Sequence, residues 1–169
     1  MPAALDVIDR SILGILQSDG RATIADLARA VGLSPAATHA RVRGLERDGL
    51  IRGYVALVDR ERAGFDLLCF VSVSLQLHRP NLVASFPRRV AEIPEVLEVH
   101  HVTGEYDYLL KVVVRGRHEL ERFIVDRLTP IPGVAKVQTS LVLRELKATT
   151  ALPLAPADPS PSTLTGGSR

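Results

Sequence analysis

The sequence predicts an α+β protein, with an N-terminal helix-turn-helix head followed by a βαββαβ sandwich. Three observations carry that reading. Apolar residues recur at helical spacing up to Ile51. A Val31-Gly32-Leu33 corner then separates two of the helical segments. From Leu67 the period drops from 3.6 to 2, with two further helical stretches set between strand-like runs.

The first helix carries Leu5, Ile8, Ile12, Ile15 and Leu16 as one apolar stripe, with Asp6 and Asp9 in its first turn, and Ser18-Asp19-Gly20 ends it. Thr23 is a good N-cap for the second, with Asp26 three places on. Ile24, Leu27, Ala28 and Val31 share a face there. Gly32 falls where the helix must stop, at a position that needs positive φ. Leu33 turns inward, Ser34 caps the third helix, Pro35 fits its first turn, and Asp48-Gly49 closes it.

On that third helix Thr38, Val42 and Leu45 fall in a narrow arc. Ala36, Ala40, Arg43, Gly44 and Arg47 lie opposite, with His39 at the edge. Small residues near a helix N-terminus allow close approach to base edges. Arg43 and Arg47 reach guanine or phosphate, and Arg41, nearer the core edge, meets the DNA backbone. The candidate DNA-binding residues are Thr23, Ser34, Pro35, Ala36, His39, Ala40, Arg41, Arg43 and Arg47. An amphipathic three-helix domain that binds protein is the alternative for the same pattern. Gly44 lowers helix propensity on the outer arc, where a basic residue would add a phosphate contact.

Arg52 to Val58 alternates as a hinge strand, and Asp59 to Asp66 reads as a connector. Leu67–Leu77 is a strand. Asn81–Ile93 is a helix with Leu82, Val83, Phe86, Val90 and Ile93 inward. Glu95–Thr103 and Asp107–Arg115 are strands joined through Gly104-Glu105. Arg117–Leu128 is a helix with Leu120, Phe123, Ile124 and Leu128 inward, stopped by Pro130 to Pro132, and Gly133–Leu146 is the last strand. This order is that of a ferredoxin-like, ACT-like sandwich. Its helix-free sheet face is expected to be apolar enough to need a partner. The expected domains are residues 1–51 (head), 52–66 (hinge and connector), 67–147 (sheet domain) and 148–169, a tail with four prolines and no apolar period, expected to be disordered.

Composition bounds the partners. The 169 residues carry a net charge of +2, and the head up to Arg60 sets eight arginines against seven acids. Phosphate neutralisation per protomer is therefore modest, which favours binding as a dimer or larger assembly. The one cysteine, Cys69, excludes an intrachain disulfide and points to a reducing compartment. No leader pattern and no apolar run of membrane-spanning length is found, so the expected location is the cytoplasm. His100 and His101 are adjacent on a strand and point to opposite faces, so they cannot chelate one metal together. Ser72 and Ser74 share a strand face with no base in reach, and no phosphate loop or dinucleotide fingerprint occurs. No catalytic, metal or cofactor site is expected.

From about Leu5 to Lys147 the chain resembles the Lrp/AsnC (leucine-responsive/asparagine regulator) family of bacterial and archaeal transcription factors. The resemblance rests on LDVIDRSILGILQSDGR (5–21), GLSPAATHARVRGLERDGLIRGY (32–54) and TGEYDYLLKV (103–112), in this order and at this spacing. It implies a sequence-specific, nucleoid-associated regulator of double-stranded DNA, not an enzyme, dimeric through the sheet domain and assembled further into tetramers or octamers. It also implies a small effector, commonly an amino acid, contacted by the loop Thr103, Gly104, Glu105, Tyr106 and Asp107. Gly104 lets backbone amides approach a carboxylate, and Asp107 can take an α-ammonium. Thr129 would complete the pocket from a neighbouring subunit. The contender is an enzyme resembling the sirohaem decarboxylases, which share the two-domain plan, with His100, His101, Tyr106 and Arg115 as its candidate residues.

Overall fold

The computed structural model describes residues 5–76 and 80–154, and of residues 80–84 the backbone only. The strand end expected at Leu77, the inward placement of Leu82 and Val83, and the tail from residue 155 lie outside the described residues. The chain divides into two compact units at Ala56/Leu57 and again at Lys147/Ala148, with the segment from Ala148 belonging to the head.

The head is built from α1 (Val7–Ser18), α2 (Ile24–Val31) and α3 (Pro35–Arg47). Both of the first two helices open with a reciprocal capping box, Asp6 with Asp9 and Thr23 with Asp26, which satisfies backbone N–H groups that would otherwise be unpaired. Gly32 sits at φ 70° and ends α2 with its N–H on the Ala28 carbonyl. Ile12, Leu13, Leu27, Val42 and Leu45 form the core. Thr38, the single buried polar residue among those described, donates its hydroxyl to the Ser34 carbonyl at 3.1 Å, so its burial leaves no orphan group.

Two expectations at the edges of the head are corrected. Arg52–Val58 has no ladder partner among the described residues, because an alternating pattern makes a strand only when another strand supplies hydrogen bonds. The segment Ala148–Leu154, expected to be disordered, is instead laid on the head. The Gln17 side chain grips the Leu152 backbone, and Leu154 packs against the head core.

The second unit contains β1 (Leu67–Leu75), α4 (Pro80–Ala91), β2 (Val96–His101), β3 (Tyr108–Val114), α5 (Arg117–Arg122) and β4 (Val134–Leu141). The sheet is antiparallel in the order β2-β3-β1-β4, the expected ferredoxin-like topology. Cys69, Val71, Val73 and Leu75 of β1 and Tyr108, Leu110, Val112 and Val114 of β3 form its buried face, packed with Phe86, Val90, Phe123, Leu128 and Ile131. Burial raises the Cys69 thiol above its ordinary pKa, which keeps it protonated and unreactive.

The helix expected over Arg117–Leu128 changes character halfway. Beyond α5 the backbone widens into a π-helical segment, Phe123–Leu128, closed by the Thr129 N–H on the Ile124 carbonyl. Phe123 and Leu128 are five residues apart and both are buried, and an i→i+5 turn brings them closer to one line than the roughly 140° separation of a regular α-helix. β4 stops at Leu141 rather than Leu146. The Val142 N–H reaches the Leu68 carbonyl, and beyond it β1 has only Leu67 left.

The helix-free face differs from its expected apolar character. Registers place Phe70, Ser72 and Ser74 of β1 there, with Leu109 and Lys111 of β3, Lys136, Gln138 and Ser140 of β4, and Glu98 and His100 of β2. The face is mixed, because strict alternation turns the serines of β1 and the polar residues of β4 away from the core.

Candidate DNA-binding surface and effector loop

The head presents the outer face of α3. Ser34, Pro35, Ala36, His39, Ala40, Arg43 and Arg47 are exposed, and Thr38, Val42 and Leu45 anchor the opposite side. The Ser34 hydroxyl accepts the Ala37 N–H at 3.2 Å, and Pro35 occupies the first turn, so the helix begins sharply where base edges would be approached. Arg43 has no hydrogen-bond or ionic partner among the described residues and is available to phosphate or guanine. The Arg47 Nε is on Asp48 at 3.0 Å, an exposed pair that solvent and salt weaken readily.

Two residues expected at DNA have other work. Arg41 turns toward α1, its Nη1 2.6 Å from Asp6 and 2.8 Å from Asp9. The Asp6 carboxyl is held below the ordinary aspartate range, first by the Asp9 N–H and then by Arg41, while Arg41 is held more firmly protonated by the same acids. Arg41 therefore ties α3 to α1 instead of facing outward. The Thr23 hydroxyl accepts the Asp26 N–H and donates to its carboxylate at 2.6 Å, so its hydrogen-bonding capacity serves the α2 cap. That bond, followed by Arg29, lowers the Asp26 pKa. Gly44 is half-buried and lines a cleft of about 180 Å³ with Leu5, Asp9, Arg41, Leu45, Asp48 and Leu50, so it is not fully on the outer arc.

The Thr103–Asp107 loop joins β2 to β3. Gly104, at φ 129°, takes a conformation that a side chain would strain. The Val102 N–H closes the loop on the Asp107 carbonyl, and the Asp107 N–H donates to Val73. The Asp107 Oδ2 accepts the Leu75 N–H at 2.7 Å, beside the register shift of β1 against β4. One carboxylate oxygen of Asp107 is thus spent on holding the loop to β1. Beside it a shallow groove is lined by Glu105 and Tyr106 of the loop, Ser72 and Ser74 of β1, and Lys136 and Gln138 of β4. Thr103 and Gly104 are exposed at the loop tip and Thr129 is exposed at the end of the π-helical segment. None of these three lines the groove.

Sequence reasoning missed Lys136 and Gln138 as partners of this loop and set the serines aside. The available signal was alternation, since all four are polar positions on strands whose other face is apolar. His100 pairs with Glu98 at 2.8 Å, Lys111 lies 3.1 Å from the same carboxylate, and His101 stacks on Tyr108. Among the described residues no group of three or more His, Cys, Asp or Glu is placed to hold a metal.

Comparison with known proteins assigns a family to each part of the chain. Residues 5–52 match the family model described as winged helix-turn-helix DNA-binding, and residues 68–152 match the Lrp/AsnC ligand binding domain. The chain is 41% identical over 152 residues to the Bkd operon transcriptional regulator of Pseudomonas aeruginosa, covering 90% of this chain and 99% of that one. It is 36% identical over 154 residues to the HTH-type transcriptional regulator FL11 of Pyrococcus horikoshii, covering 91% and 99%. A solved Neisseria meningitidis transcriptional regulator, in complex with L-Met, superposes with a TM-score of 0.87 at 38% identity, covering 90% of this chain and 98% of that one. Nothing in these likenesses supports the decarboxylase reading. With a winged helix-turn-helix head and a ligand-binding-type sheet domain, the chain belongs to the Lrp/AsnC family of DNA-binding transcriptional regulators and is not an enzyme.

Proposed function

We propose that the protein binds double-stranded DNA as a homodimer or larger assembly, through the outer face of α3, and that a small amino acid bound beside the Thr103–Asp107 loop changes its affinity. The observation that carries the DNA part is the exposed run Ala36, His39, Ala40 and Arg43 behind a Ser34-Pro35 helix start, with Arg43 unpaired among the described residues. Ser34 and Pro35 set the approach of that helix, and Arg47 adds a second cation. Thr23 and Arg41 support it from within the head.

The effector reading is supported by the groove's chemistry. Lys136 suits a carboxylate, the Glu105 carboxylate suits an ammonium, and Tyr106 supplies an aromatic wall, with Asp107 beside the groove holding the loop to β1. The N. meningitidis relative was solved with L-Met. Thr129 joins this site only from a second subunit. Assembly is supported by the exposed Phe70 on the open sheet face and by Val55, Leu57 and Val58, 74–89% exposed along the hinge. In this reading the protein works in the cytoplasm, on the nucleoid.

The test is fluorescence anisotropy on the DNA upstream of its own gene at two salt concentrations, with wild type and Arg43→Ala, followed by titration of amino acids. Salt-sensitive binding that the substitution weakens is expected. Equal binding by both proteins would remove α3 as the DNA-reading element.

A further inference from the structure

We propose that residues 148–154 are a strap by which the chain's own C-terminal segment completes the head, so that the head is joined to the sheet domain by two connections rather than one. The grip is bidentate. Gln17 Oε1 accepts the Leu152 N–H at 2.6 Å, and Gln17 Nε2 donates to the Leu152 carbonyl at 3.2 Å. A primary amide satisfying the N–H and C=O of one residue mimics a β-bridge, and it reads the backbone of an extended segment rather than its side chain. Leu152 is accordingly left two-thirds exposed, while Leu154 is half-buried against the head core.

The segment is shaped for this contact. The Leu154 N–H donates to the Leu152 carbonyl at 2.9 Å across Pro153, an i→i+2 turn for which the fixed φ of proline is nearly ideal. One residue earlier the Ala151 N–H is held by the Thr149 hydroxyl at 3.0 Å. Thr149, Pro153 and their bonds limit the freedom of the segment before it docks, which reduces the entropy lost on docking. A proline-rich composition, which argued for a free tail, here stiffens a short ligand.

Connectivity gives the strap its consequence. The Val142 N–H donates to the Leu68 carbonyl at 2.9 Å, so residues 57–66 and 142–147 leave the sheet from neighbouring positions on β1 and β4. Both then run to the head, one into its hinge and the other into the strap. A change of register or spacing at that edge of the sheet reaches the head along two covalent routes.

The test compares four proteins by amide hydrogen exchange and by melting of the head: full chain, a truncation after Leu154, a truncation after Lys147, and Gln17→Ala. The expected result is that the first two behave alike. Gln17→Ala should lose protection at the Leu152 amide by about tenfold, and truncation after Lys147 should speed exchange in α1 while leaving β1 and β3 unchanged. A Leu152 amide that exchanges freely in the full chain, or an α1 indifferent to loss of residues 148–154, would overturn the proposal. Intermolecular Gln17–Leu152 contacts in a mixture of differently labelled copies would also overturn it, because the strap would then belong to the partner subunit.

Discussion

Arg41 shows how a residue's charge and position can be read from sequence while its partners cannot. Its position at the core edge of α3 was legible, but the two carboxylates that capture it lie more than thirty residues earlier. Because Asp6 and Asp26 have lowered pKa values in the folded head, their contribution is present above the ordinary aspartate value of 3.8 and is lost as pH falls through the folded values. Thermal melting of the head should therefore be flat from neutral pH down to about pH 5 and decline as pH falls below 3.8 through the lowered folded values of these two aspartates. Asp6→Asn should flatten part of that fall in a pH series of melts. At the same scale, Gly32→Ala forces a side chain into the left-handed region and should cost about 1 kcal/mol in denaturant unfolding. Arg43→Ala should reduce the slope of log affinity against log salt by about 1, whereas a positioning residue such as Arg41 would lower affinity without that change in slope.

Elements form here for reasons that operate over a few residues, and most were readable for that reason. The α3 start is encoded in Ser34-Pro35 alone, so Ser34→Ala should destabilise the head by about 1 kcal/mol, as measured by chemical denaturation. The π-helical segment was not readable, since Leu120, Phe123, Ile124 and Leu128 satisfy an α-helical stripe well enough, and only packing against the sheet demands that Phe123 and Leu128 share a face. Phe123→Ala should remove about 3–5 kcal/mol from the sheet domain, read as a lower denaturant midpoint for that unit with the head transition unchanged. The end of β4 at Leu141 was equally hidden. A strand stops close to where its partner ends, and the apolar run Leu141-Val142-Leu143 carries no stop signal of its own.

For the molecule as a whole, the open sheet face is the surface on which the proposed assembly would rest. It is mixed rather than apolar, so a self-interface there relies on Phe70 and Leu109 amid hydrogen-bonding and charged groups. Phe70→Lys should weaken self-association by at least about tenfold in sedimentation velocity and leave the fold intact, since Phe70 is outside the buried core. Val55, Leu57 and Val58 of the hinge are exposed as well, apolar surface that the proposed assembly would cover. Two compact units, the helix order and the strand order were all legible, because each rests on periodicity and turn chemistry within short windows. The groove beside the loop was half legible. Gly104 and Asp107 announce a turn, but Lys136 and Gln138 reach it only because β4 pairs with β1.

The helical corner, its caps, the outward face of α3 and the βαββαβ order follow from local sequence, for these depend on neighbours within about one or two helical turns. That Arg41 faces α1, that Asp107 holds β1, that the sheet's open face is mixed and that Leu152 returns to Gln17 follows from the packed fold alone. Each of those is a contact across 32 or more residues or a matter of strand register. Such contacts are selected by the geometry of the assembled core, and no local pattern records them.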